Sequence, residues 1–259
     1  MHTKESRQAL RKVDIVGAPV TTAPYATIRE EILQLGRERR GYVCFANVHM
    51  TIEAHQDPTF VRVLEEATIV SPDGRPLSIL MRLLYGIPQE RACGMDLLPE
   101  LLGEAARRGL SVYFYGSTED VLEALVSQAL AQHPDLTIAG THSPPFRPLT
   151  AEEDAAVVEE INASGANLVF VSLGCPKQEN WMHQHQHSVQ ACMLGVGQAF
   201  LTYTGREKRL PKWTRDLSLE WAYRLYLEPK RLWRRYLIGN SLFLMLAAKA
   251  MLKKRLRPS

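Results

Sequence analysis

Six short apolar runs, set apart by longer amphipathic stretches, occupy the chain between residues 42 and 197 and limit the folds open to it. They are Tyr42–Asn47 (YVCFAN), Ala67–Ser71 (ATIVS), Ser111–Gly116 (SVYFYG), Leu136–Gly140 (LTIAG), Asn167–Gly174 (NLVFVSLG) and Val189–Gly197 (VQACMLGVG). Runs this short and this apolar fit strands covered on both faces, the pattern of parallel sheets. Between them, Thr118–Gln132 and Thr150–Ser164 read as helices, because each opens on a threonine able to cap the first turn and carries acidic residues just inside it. Strands alternating with helices predict an α/β fold, a mainly parallel sheet with helices on both faces. No internal period is present, and no Pro/Gly/Ser-rich linker interrupts the first 200 residues, so one sizeable core is expected there.

Such a sheet binds ligands beyond the carboxyl ends of its strands, where loops meet helix N-termini. Four strand exits carry chemistry: Asn47, Pro72-Asp73-Gly74, the segment Gly174–Glu179, and Gly195-Val196-Gly197. Pro-Asp-Gly is ordinary turn chemistry, yet a carboxylate at this place could take a proton from a substrate hydroxyl. The segment GCPKQENW puts a proline at a helix start, from which Lys177 or Gln178 could reach a phosphate or a sugar hydroxyl; the plain alternative is a helix start with exposed polar residues. GVGQAF is half of a dinucleotide fingerprint, but Phe200 stands where the third glycine belongs and no ribose-binding acid follows. His183, His185 and His187 alternate with glutamines; on a helix they would spread around the axis, as at a solvated helix end, rather than converge on a metal. There is no Walker lysine loop and no Asp-x-Asp pair, so phosphate charge would fall to Arg, Lys and backbone N–H groups.

Charge is unevenly placed. The net charge is +3, but Tyr203–Ser259 holds 15 Lys/Arg against 4 acids, a local +11 that leaves −8 for the rest. A basic tail suits nucleic acid, anionic lipid or a phosphorylated substrate. Trp213, Trp221 and Trp233 and several tyrosines sit among these cations, a composition suited to a membrane interface. The apolar stretch Leu237–Leu252 is interrupted by Asn240, Ser241 and Lys249, and it is expected to lie on a membrane rather than cross it. The four cysteines are scattered without a CxxC, and the N-terminal segment is charged with no apolar core, which together point to a reducing, cytosolic setting.

Taken in order, ANVHM, PDG, RACGMDLL, VYFYGS, SPPFRPLT, LVFVSLGCPKQENWM, GVGQAF and RLPKWTRDLSLEWAYRLYLEPKRLWRRYL resemble the WecG/TagA/CpsF family of bacterial glycosyltransferases, from about residue 13 to residue 245. The resemblance implies a Rossmann-like body, residues 1–202, followed by a basic, helical, aromatic-rich appendage, residues 203–259, that meets the membrane and completes the active site. It implies an inverting transfer from a UDP-sugar donor to a polyprenyl-diphosphate-linked sugar in surface-polysaccharide synthesis, at the cytoplasmic face of the inner membrane. No cofactor, bound metal or nucleic acid is called for, and a homo-oligomer is allowed. By the same resemblance Asp73 is the general base. Asn47, Arg91 and Gln178, with Lys177 beside it, line the pocket, and Gly195 and Gly197 let the backbone approach the nucleotide. Arg224, Arg231 and Arg234 neutralise a diphosphate. Phe45 departs from the pattern, standing where many relatives carry a hydroxyl residue two positions before the Asn.

Overall fold

In the computed structural model, which describes residues 10–208, 220–227, 229, 233 and 237–256, the six apolar runs are the strands β3 (Tyr42–Ala46), β4 (Ile69–Pro72), β5 (Ser111–Gly116), β6 (Thr137–His142), β7 (Leu168–Ser172) and β8 (Cys192–Gly195). They form one sheet in the order β4-β3-β8-β7-β5-β6, with every pairing parallel. A parallel sheet delivers all its strand exits to one edge, and helices must cross back over its faces. Those helices are α1 (Tyr25–Glu38), α2 (Val48–Gln56), α3 (Pro58–Glu66), α4 (Arg75–Tyr85), α5 (Gly94–Arg108), α6 (Glu119–Gln132), α7 (Ala151–Ser164), α8 (Lys177–Gln184) and α9 (Ala199–Tyr203). Among the described residues of the tail lie the helices α10 (Glu220–Leu227) and α11 (Gly239–Arg255).

The strands alternate between two apolar layers. Tyr42, Cys44, Ala46, Tyr113, Tyr115, Val169 and Val171 pack with α2, α3, α4, α7 and α8, while Val43, Phe45, Val112, Phe114, Leu168 and Phe170 pack with α1, α5, α6 and α9. The predicted sheet with helices on both faces is therefore present. Local chemistry fixes the helix starts. Thr150 closes a capping box with Glu153 on α7, and Asp57 caps α3 ahead of Pro58. Thr118 stands at the N-cap of α6 but spends its hydroxyl on Asp120 instead of the backbone.

A hairpin of β1 (Lys12–Ile15) and β2 (Ala18–Thr21) precedes the sheet, antiparallel and turned by Val16 and Gly17, both at positive φ. At the other end of the chain α11 rests on α2 and α4. Phe243 and Ala247 are buried there with Leu242 and Leu246 beside them, and Lys254 Nζ donates to the Leu83 carbonyl at 3.0 Å. Leu244, Met245 and Leu252 on α11, like Ile79 and Leu83 on α4, stay exposed. No helix among the described residues is long and apolar enough to cross a membrane.

Candidate active site

Four neighbouring strands, β4, β3, β8 and β7, bring their exits together. Ala46 pairs with Pro72, so the next residues, Asn47 and Asp73, leave the sheet side by side. The Asp73 N–H donates to the Ala46 carbonyl at 2.8 Å, which extends the ladder one step and ties the two exits. Asn47 has a second task as N-cap of α2, its Oδ1 accepting from the Met50 N–H at 3.2 Å. Gly74 follows Asp73 and caps α4, with a proline in that helix's first turn. Both Asn47 and Asp73 are half-buried, as befits groups at the rim of a site.

Arg91 belongs to the extended segment before α5, and that segment is stitched to β4. The Ala92 N–H donates to the Pro72 carbonyl at 2.9 Å, and Ser71 Oγ donates to the Ala92 carbonyl at 2.6 Å. Arg91 is held by Asp96, its Nη2 donating to Oδ2 at 3.1 Å, and the Cys93 thiol donates to the same oxygen at 2.8 Å. A guanidinium so anchored keeps a fixed direction next to the β4 exit.

The exit of β7 turns through a cis Cys175–Pro176 peptide into α8. Lys177 and Asn180 on that first turn face solvent, but Gln178 and Glu179 turn inward and are 4% and 0% exposed. The plain alternative, a helix start with exposed polar residues, thus fails for two of them. Gln178 Nε2 donates to Glu179 Oε1 at 2.7 Å and to the Gly195 carbonyl at 2.8 Å. This explains the first glycine: a Cβ on Gly195 would come within 2.8 Å of Met182 Cε and 3.0 Å of Gln178 Nε2. Gly197 lies at φ 51, beside Gln178 Oε1. The N–H groups of Val196 and Gly197 donate to the Val171 carbonyl at 2.9 and 3.3 Å, so the loop is braced against β7.

Burial raises the Glu179 carboxyl to about 7, against the opposing pull of its neighbour's amide, its own backbone N–H and the Cys175 thiol. The sequence reading missed Glu179. Its signal was faint, one acid in a polar hexapeptide, although a residue beside an inward-facing Gln on the same strand exit was open to suspicion. Of the three histidines, His187 is exposed, as a solvated helix end requires, but His185 is not. The helix ends at Gln184, and His185 is buried, its Nε2 2.9 Å from Asp154 Oδ2, while His183 meets Glu66 at 3.0 Å. No cluster of three metal-binding side chains occurs among the described residues.

Phe45 is buried on the α5 side of β3, and a Cβ added to Gly94 would sit 3.5 Å from its ring. Of the tail arginines, Arg224 lies on α10, whose Glu220–Leu227 span fits the predicted helix; Arg231 and Arg234 lie outside the described residues. The assembled groups are a carboxylate and an amide side by side, an anchored guanidinium, and a buried amide–carboxyl pair at the next exit. Such a set can orient a hydroxyl-rich ligand, accept a proton from it and meet negative charge.

Among the relatives that this chain resembles, two match most of it. Both are named N-acetylglucosaminyldiphosphoundecaprenol N-acetyl-beta-D-mannosaminyltransferase. The Bacillus subtilis protein is 33% identical over 192 residues, covering 74% of this chain and 73% of its own length. The Bacillus spizizenii protein is 33% identical over 208 residues, covering 80% and 79%. A family model for the glycosyl transferase WecG/TagA/CpsF family matches residues 13–257. With the match running through every strand exit of the site and on into α11, the chain belongs to the WecG/TagA/CpsF family of glycosyltransferases.

Proposed function

We propose that this chain transfers a sugar, with inversion at the anomeric carbon, from a UDP-sugar to a sugar carried on a polyprenyl diphosphate, as a step in bacterial surface-polysaccharide synthesis. The observation that carries the reading is the pairing of Asn47 and Asp73 at adjacent parallel strand exits, with Arg91 anchored beside them and Gln178 at the β7 exit. In a single displacement the acceptor hydroxyl loses its proton to Asp73 as its oxygen attacks the anomeric carbon, and the UDP oxygen departs with the bonding pair. General-base help of this kind supplies about 10²- to 10⁴-fold of rate. Arg224, Arg231 and Arg234 would meet diphosphate charge from the tail. The glycines keep room for the Gln178 amide and for a ligand close to the backbone. Lys177, exposed at the same helix start, would add a mobile cation at the rim. The relatives' printed names support a polyprenyl-diphosphate acceptor.

Residues 203–259 would hold the enzyme to the cytoplasmic face of the membrane as a peripheral protein. Support comes from the local +11 charge and from exposed Leu244, Met245 and Leu252 on a helix whose other side is seated on the body. Each basic residue near an anionic surface contributes about 1 kcal/mol. Incubation with a panel of UDP-sugars and a short-chain lipid-diphosphate acceptor tests the reading. UDP release that needs the acceptor and survives excess EDTA is expected. No UDP release with any donor would overturn the transfer, and a loss of activity in EDTA that Mg²⁺ restores would overturn metal independence.

A further inference from the structure

The Gln178–Glu179 pair holds two polar atoms that the described structure leaves unsatisfied. Both hydrogens of the Gln178 Nε2 amide are spent, on Glu179 Oε1 and on the Gly195 carbonyl. Gln178 Oε1 and Glu179 Oε2 are fully buried and have no partner. Turning the amide over would aim its oxygen at the Gly195 carbonyl, which can only accept, so the orientation is not interchangeable. The remaining Gln178 oxygen lies beside Gly197, where a Cβ would come within 3.5 Å of it. A side chain held this way offers an acceptor and no donor.

We propose that Glu179 is a positioning residue: it fixes the Gln178 amide with its oxygen toward the Gly195–Gly197 turn, so that this corner of the pocket reads a hydrogen-bond donor, a hydroxyl or N–H of the sugar nucleotide, and not a phosphate. This rests on the transferase reading and narrows it, since phosphate offers only acceptors at neutral pH.

The surroundings of Glu179 add a pH dependence. The Cys175 thiol hydrogen-bonds the carboxyl, and Cys44 on β3 senses its charge. Elsewhere on the elements packed around α8, Glu66 is engaged by Arg62, His183 and Gln186, and Asp154 by Trp181 and His185. Lys12, toward Cys44, donates to three carbonyls at the end of α3. The folded carboxyl titrates above its ordinary 4.5, at about 7. The native state therefore binds this proton more tightly than the unfolded chain does. The stability it brings is fully present below 4.5 and is lost as pH rises through about 7.

Glu179→Gln keeps an oxygen that can accept from Gln178 and removes the titration, whereas Glu179→Leu frees the amide. Thermal unfolding of the full chain from pH 5 to pH 8 and UDP release from the donor that serves the wild type are measured for all three proteins. The wild type should lose stability above about pH 7 relative to Glu179→Gln, which should keep KM within about threefold; Glu179→Leu should raise KM for the UDP-sugar about tenfold, with kcat changed less. Matching pH profiles of stability in wild type and Glu179→Gln, or a wild-type KM in Glu179→Leu, would overturn the proposal. If the wild type itself released no UDP, the transferase reading would fall, and the substrate-facing half of the proposal with it. The thermal profiles would still decide whether Glu179 holds its proton up to neutrality.

Discussion

The two ends of α8 carry buried polar groups one helical turn apart, and they are treated differently. At the C-terminal end every group is matched. Trp181 Nε1 donates to Asp154 Oδ1 and His185 Nε2 meets Oδ2, both at 2.9 Å, with the Trp181 ring lying against Tyr115 and His185. At the N-terminal end Gln178 and Glu179 bond each other, and Gln178 Oε1 and Glu179 Oε2 are buried without a hydrogen-bond partner among the described residues. Buried polar groups in a settled core find partners, because each one left over costs free energy. The satisfied cluster joins α7 to α8 and reads as structure. The unsatisfied one lies where β7, β8, β3 and β4 release their loops, and residual demand at that place reads as a site.

The sharpest test of this contrast is to break the matched cluster. Asp154→Ala leaves the Trp181 and His185 ring nitrogens unpartnered and should cost about 2 to 3 kcal/mol of stability, or roughly 5 to 10 °C in Tm, with kcat/KM unchanged. Calorimetry together with steady-state rates checks both halves. Gln178→Ala should do the reverse at the other end of the helix, lowering kcat/KM about 10²-fold through lost ligand recognition. A Gln178→Ala enzyme with wild-type kinetics would reduce that end of α8 to scaffolding as well. The smallest change is expected from Thr150→Ala, which opens the capping box at the start of the helix that carries Asp154. It should cost about 1 kcal/mol in denaturant melts and leave rates alone.

These two clusters were not equally legible in the sequence. The strands were, because a strand covered on both faces must be apolar throughout, and all six runs lie within a few residues of β3 to β8. The β1–β2 hairpin escaped notice since its turn uses Val16 and Gly17 in place of the Asn-Gly or Asp-Gly that positive φ favours. His185 was misread because the helix stops one residue before it, so its direction does not follow helical spacing. Asn47, Asp73, Gln178 and the two glycines could be singled out as candidates because a parallel sheet points every exit one way. Arg91 sits in a connection, not at a strand exit, and only resemblance to known glycosyltransferases singled it out. Glu179 was hidden by its type, since a glutamate in a polar motif is ordinarily solvated. Only the packing of α8 against β8 and β3 turns it inward.

The location of the chemistry rests most on Asp73, whose backbone is tied to β3 and whose carboxylate follows the β4 exit beside Asn47. Replacing it with asparagine keeps the shape and removes the base. UDP affinity by calorimetry and acceptor-dependent UDP release, measured on the same preparation of Asp73→Asn, decide the matter. Affinity within about twofold of wild type with turnover lowered about 10²-fold is the predicted result. Turnover close to that of the wild type would contradict the assignment of Asp73 as the base and, with it, the location of the chemistry at these strand exits.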